Sequence, residues 1–255
     1  MGSIGEVQML SADKIELGYR GHSLCANLDF HLDRGEICAV IGHNGSGKST
    51  LVRTLLGIQQ PISGTINWSE GRPENIAYLG QSSHTDNHFP LRVKDVVAMG
   101  AWRSLGFWSG LSQHASDKVD NALHRTGLVA MADRPLFECS SGQLQRCFFA
   151  RAIVQDAPVI ILDEPFTAID QSTEEQLIDI IKQWRSENRT LVIVLHDLSS
   201  VMTISDHCLL LGNGRATFGR TNEIVTTENL LSHNYLTNAQ AQWIATLTQS
   251  GGQNV

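Results

Sequence analysis

Residues Gly42–Ser49 read Gly-His-Asn-Gly-Ser-Gly-Lys-Ser and follow directly on the apolar run Ile37–Ile41. A short continuous apolar run suits a strand buried on both faces. The segment after it matches G-x-x-x-x-G-K-[ST], a loop whose backbone N–H groups turn inward towards phosphate oxygens while the next helix adds its positive end. Ser49–Leu56 can form that helix. In sequences of this composition and length the pattern arises by chance about once in two hundred. Lys48 is placed to reach the outer phosphates, and Ser49 or Thr50 offers a hydroxyl oxygen; the motif assigns Ser49 to Mg²⁺. His43, Asn44, Gly45, Ser46 and Gly47 complete the loop.

Three more apolar runs end in polar groups. Ile76–Leu79 ends at Gly80-Gln81, Val159–Leu162 at Asp163-Glu164-Pro165, and Leu191–Leu195 at His196-Asp197. Open α/β sheets bind ligands at the carboxyl ends of their strands, so the pattern predicts one site assembled from several strand ends. Alone, a strand-ending Asp-Glu-Pro reads as a turn. Beside a phosphate loop, an Mg²⁺-linked Asp163 and a water-activating Glu164 account for two adjacent carboxylates. Between Gln81 and Asp163 the periodicity is helical: Val93–Met99, Asp117–Leu128 and Ser141–Val154 are expected helices. Asn213-Gly214, between Cys208–Leu211 and Ala216–Phe218, predicts a tight hairpin.

Composition excludes several classes. With 42% hydrophobic and 18% charged residues, the 255-residue chain has the balance of an ordinary globular protein. Its longest wholly apolar runs fall far short of the roughly 20 residues that cross a bilayer, and Met1–Leu10 shows no secretory pattern. The expectation is a chain that does not itself span a membrane. A formal charge of −7 argues against a whole-surface nucleic-acid binder, though a local basic patch is compatible with it. Cys25, Cys38, Cys139, Cys147 and Cys208 are scattered without a CxxC pair, as reduced thiols are.

Taken together these residues resemble ATP-binding-cassette ATPases. The family's signature Leu-Ser-Gly-Gly-Gln has a counterpart in Cys139-Ser140-Ser141-Gly142-Gln143, which opens the helix running to Val154. Gln81 matches the glutamine loop, Thr167-Ala168-Ile169-Asp170 the D-loop, and His196 the switch histidine. Tyr19 stands where the family places the aromatic that stacks on adenine. The resemblance covers about Val7 to Tyr235.

It implies an α/β fold: a P-loop NTPase, RecA-like core at about 1–81 and 156–235, an antiparallel β portion near the N-terminus, an inserted helical subdomain at about 82–155, and a tail at 236–255. It also implies ATP and Mg²⁺ as ligands. Lys48 and the loop amides would hold the phosphates, with Ser49, Gln81 and Asp163 around Mg²⁺. Glu164 would act as base and His196 would order the γ-phosphate, while Ser140, Ser141, Gly142, Gln143 and Asp170 would serve a partner subunit's nucleotide. Two chains, identical ones sufficing, would sandwich two ATP molecules head to tail. The signature departs from the family at Cys139 and at Ser141, where a glycine is usual. The added Cβ would crowd the nucleotide, or the hydroxyl on it would supply a donor.

One cassette without fused membrane helices or a coiled coil is similar to the separate ATPase subunit of a bacterial importer. His88–Gly100, followed by Trp102-Arg103, resembles the corresponding segment of zinc, manganese and iron importers, as does Gly214–Tyr235. The latter stretch is equally similar to siderophore and cobalamin importers. The resemblance implies transmembrane permease subunits as partners, an extracytoplasmic binding protein acting through them, and a peripheral position on the cytoplasmic face of the membrane. A soluble clamp on nucleic acid or ribosomes is the reading from another class. His84, Asp86 and His88 read as a solvated loop more readily than as metal ligands, and His207-Cys208 as packing. Trp102, Phe107 and Trp108 suit either a dock for a membrane partner or a local core.

Overall fold

Of two long strands near the start, the second alternates buried with more exposed positions over most of its length, and the first does so between irregularities of register. They are β1 (Gln8–Tyr19) and β2 (His22–Asp33), as seen in a computed structural model that describes residues 8–19, 21–80, 91–104 and 112–242. In chain order there follow β3 (Ile37–Gly42), α1 (Lys48–Leu55), β4 (Ser63–Trp68), β5 (Ile76–Leu79), α2 (Val93–Ala98), α3 (Gln113–Arg125), α4 (Ser141–Gln155), β6 (Val159–Asp163) and α5 (Gln171–Ser186). The remainder is β7 (Thr190–Val194), α6 (Leu198–Ile204), β8 (His207–Gly212), β9 (Arg215–Arg220), α7 (Thr221–Ile224) and α8 (Thr227–Ser232).

The chain divides into two compact units, one of residues up to Arg72 together with those from Val194, the other of Pro73–Ile193. In the first, β2, β1 and β4 form an antiparallel sheet. A second layer pairs β3 in parallel with β8, and β8 antiparallel with β9. Every residue of β3 is buried, as its unbroken apolar sequence requires. The β8–β9 hairpin turns at Asn213 and Gly214, both at positive φ (54° and 74°), the combination a two-residue hairpin loop needs.

In the second unit β5 runs parallel to β6, with Ile76 opposite Val159 and Leu79 opposite Leu162. The helical region packs around its own core: Val93 and Val97 of α2, Ala122 and Leu123 of α3, and Cys147 and Val154 of α4 are buried together. Fully burying an aliphatic side chain is worth about 1.5–3 kcal/mol, so this cluster stabilises the region, and Arg151 and Gln155 of α4 tie it to β5 by donating to the Tyr78 and Ile76 carbonyls. Phe149 of α4 stacks on Trp184 of α5 with ring centroids 5.4 Å apart. Among the described residues no helix is long and apolar enough to cross a membrane.

Two predicted boundaries move. The helix expected over Asp117–Leu128 runs over Gln113–Arg125. Ser112 caps its start, accepting from the Ala115 N–H at 3.3 Å, and Gly127, at a φ of 66°, takes the chain out of it. The strand expected at Leu191–Leu195 spans Thr190–Val194.

Candidate nucleotide site

In the first unit β3 delivers the chain into the loop 42–47, and α1 starts at Lys48. Gly42 is required by close approach: a Cβ there would lie 2.3 Å from the Leu211 carbonyl oxygen and 2.4 Å from Ser46 Oγ. Gly47, the residue before α1, sits at a φ of 107°. It gives the helix no side-chain cap, and the first turn holds no acidic residue. The start of α1 therefore presents N–H donors and positive potential with nothing of the opposite sign beside them in that turn. Ser49 is exposed and Thr50 half-buried.

The Lys48 side chain is buried, and Nζ donates to the carbonyls of Gly42 (2.7 Å) and His43 (3.1 Å). An ammonium taken out of water needs such partners. Ser46 Oγ is buried in the loop without a hydrogen-bond partner among the described residues. A buried cation, an orphan hydroxyl and an uncapped helix start form a cradle suited to a phosphate chain, and the exposed Ser49 hydroxyl suits an accompanying Mg²⁺.

His196 and Tyr19 also belong to this unit. His196 follows β7 and is exposed; Asp197 caps α6, accepting the Ser200 N–H at 2.7 Å. Hydrogen bonds from Ser199 and Ser200 hold the Asp197 carboxyl below its ordinary range. The Tyr235 hydroxyl donates to the His196 carbonyl, a partnership across 39 residues that periodicity gives no hint of. Tyr19 closes β1 and is 57% exposed, as a residue offering a stacking surface must be.

The second unit holds the carboxylates and the signature segment. β6 ends at Asp163, and Glu164 follows at a φ of 53°. Thr167 holds Glu164 twice, its hydroxyl donating to Oε2 at 3.4 Å and its N–H to the carbonyl at 3.3 Å. Ala168 is again left-handed, at a φ of 60°. Such conformations cost on the order of 1–3 kcal/mol for a residue with a side chain and persist only where neighbours fix them. Asp170 then caps α5: Oδ1 accepts the Thr173 N–H at 2.9 Å and Oδ2 the Thr173 hydroxyl at 3.0 Å. Those two bonds hold the Asp170 carboxyl below its ordinary range.

At the start of α4, Ser140 and Gln143 form a reciprocal capping box. Ser140 Oγ accepts the Gln143 N–H at 3.3 Å, and Gln143 Oε1 accepts the Ser140 N–H at 3.0 Å. Gly142 is buried, and a Cβ there would stand 3.3 Å from Thr173 Oγ1. The Ser141 hydroxyl is used within the chain, donating to the Ala168 carbonyl at 2.6 Å. Cys139 is half-buried, with its thiol 3.7 Å from the Pro135 carbonyl, and burial raises its pKa. The other four cysteines are free and buried.

Gln81, the loop residues His84, Asp86 and His88, and Phe107 and Trp108 lie outside the described residues. Trp102 is 70% exposed, which removes it from the local core and leaves it as surface. His207 has the packing role expected of it, its ring stacked on Phe218 with centroids 5.2 Å apart. No group of three or more His, Cys, Asp or Glu side chains suited to a metal ion occurs among the described residues.

The family model described as ABC transporter matches residues 25–167. The chain is similar to the manganese transport system ATP-binding protein MntA of Synechocystis, 37% identical over 87% of this chain and 88% of that one. It is similar also to the zinc transport system ATP-binding protein TroB of Treponema pallidum, 37% identical over 79% of this chain and 77% of the relative. Among solved structures, one described as an inward-facing conformation of a metal-chelate type ABC transporter superposes with a TM-score of 0.81, at 32% identity over 90% of each chain.

Proposed function

The chain belongs to the ABC transporter family and hydrolyses ATP, and from that premise we propose that it is the motor subunit powering import of a divalent metal ion, manganese or zinc. One observation carries the cargo: 37% identity to a manganese system's ATP-binding protein and to a zinc system's, over most of each chain. In this reading the protein works as a head-to-tail pair bound peripherally to transmembrane permease subunits at the cytoplasmic face. An extracytoplasmic binding protein selects the ion, and no nucleic acid takes part.

ATP lies along the loop from Gly42 to Ser49, with Tyr19 against the adenine. Lys48 exchanges loop carbonyls for β- and γ-phosphate oxygens, and the N–H groups at the start of α1 take further oxygens. Ser49, Gln81 and Asp163 would hold Mg²⁺, which supplies neutralisation of charge shared between the phosphates. Glu164, steadied by Thr167, accepts the proton of the attacking water. His196 orders the γ-phosphate and Gln81 senses it. Ser140, Gly142 and Gln143 present the start of α4 to the nucleotide of the second subunit.

The test is uptake of manganese, zinc and iron in a strain lacking the gene, rescued by the wild type or by Glu164→Gln. Loss of manganese or zinc uptake restored by the wild type alone is the expected result. Normal uptake of all three ions would remove the metal cargo. The likeness to a metal-chelate type transporter supports a second reading, import of a chelated metal such as a siderophore or cobalamin. Uptake that fails for the chelate but not for the free ion would favour it.

A further inference from the structure

Ser141 stands where the resemblance leads one to expect glycine, so its hydroxyl needs its own account. Three observations bear on it, all within the second unit. The capping box of Ser140 and Gln143 makes the start of α4 a fixed platform. From that platform the Ser141 hydroxyl reaches 27 residues along the chain to the Ala168 carbonyl at 2.6 Å. Ala168, at a φ of 60°, is a residue whose conformation requires support from outside. Beside it Thr167 donates to the Glu164 carboxylate, and beyond it Asp170 is committed to capping α5.

We propose that Ser141 is a positioning residue for hydrolysis: its hydroxyl pins Ala168 and so keeps Thr167 aimed at Glu164. The signature segment and the base are thereby joined through one short loop of the same chain. The hydroxyl is a donor spent on the protein, not on nucleotide. A glycine at 141 leaves the Ala168 carbonyl without this donor. The inference rests on the role of Glu164 proposed above.

The test is steady-state ATPase activity of the full chain with ATP and Mg²⁺, for Ser141→Ala, Ser141→Gly, Ser141→Thr, Glu164→Gln and the double variant Ser141→Ala/Glu164→Gln. Loss of the hydroxyl in the alanine and glycine variants is expected to lower kcat about 5–20-fold with KM for ATP within about twofold of wild type. Threonine, which keeps the hydroxyl, is expected to restore most of kcat. On the Glu164→Gln background, Ser141→Ala should add less than about twofold, since both changes act on one step. Unchanged kcat in Ser141→Ala, a raised KM at unchanged kcat, or a full additional loss in the double variant each overturns the proposal. Wild-type turnover by Glu164→Gln removes Glu164 as base and with it the route from Ser141. The two failures are told apart because Glu164→Gln alone tests the base, while unchanged kcat in Ser141→Ala beside a slow Glu164→Gln rejects the part given to Ser141 and leaves the base standing.

Discussion

The phosphate loop of the first unit and the loop 164–170 of the second solve similar problems by different means. The first is built from neighbours in sequence: glycines at 42 and 47, the uncapped start of α1, and a lysine that bonds carbonyls five and six residues before it. The second depends on partners far along the chain, with Ser141 reaching Ala168. It also holds two left-handed residues that carry side chains, Glu164 and Ala168, where the first uses glycine. A loop of the first kind is specified largely by its own segment, with the Leu211 carbonyl against Gly42 as a distant constraint. A loop of the second kind is specified only once α4, β6 and α5 have come together.

The sharpest way to set the two apart is to damage each and ask whether binding or turnover fails. Glu164→Gln removes only the carboxylate proposed as proton acceptor. Hydrolysis should fall by on the order of 10²–10⁴ while ATP still binds, as measured by phosphate release beside nucleotide titration; turnover at the wild-type rate would take Glu164 out of the role of base. Gly42→Ala strikes the other loop. Its Cβ would meet the Leu211 carbonyl at 2.3 Å, and crowding of this kind costs typically about 1–3 kcal/mol. Nucleotide binding should be lost together with a few degrees of melting temperature; intact binding would show that the loop yields where the structure gives no room.

A smaller effect concerns Cys139, at the edge of the signature segment. The other four thiols are buried, with Cys25 pushed up to about 11 and Cys147 and Cys208 to about 12 by desolvation. A thiol reagent should therefore label Cys139 first and inhibit the ATPase through it. Burial also raises the Cys139 pKa above its usual 9.0. Because the thiolate reacts, the rate should climb about tenfold per pH unit and continue to climb past pH 9. Equal sensitivity in Cys139→Ser would refute the assignment, and a plateau near pH 8 would show a thiol pKa lowered below its ordinary value, opposite to the effect of burial.

Much of this molecule can be read from its sequence because the informative signals are local. Ile76–Leu79 begins and ends as its apolar run does, and Asn213-Gly214 turns where a hairpin needs two positive φ angles. The offset of α3 was also a local matter, with Ser112 and Gly127 giving the correct limits. Other features have no local sign. Neither the spacing nor the type of Tyr235 announces a bond to the His196 carbonyl, and a serine in place of glycine at 141 gives no indication of what its hydroxyl will find. Those bonds are set by the relative placement of elements distant in sequence, which periodicity does not encode.

The lysine of the phosphate loop has one further consequence. With Nζ lodged between the Gly42 and His43 carbonyls, the loop carries an internal brace that does the work of a guest. In the role proposed for Lys48, taking up phosphate is a change of partners at that cation, one set of oxygens for another.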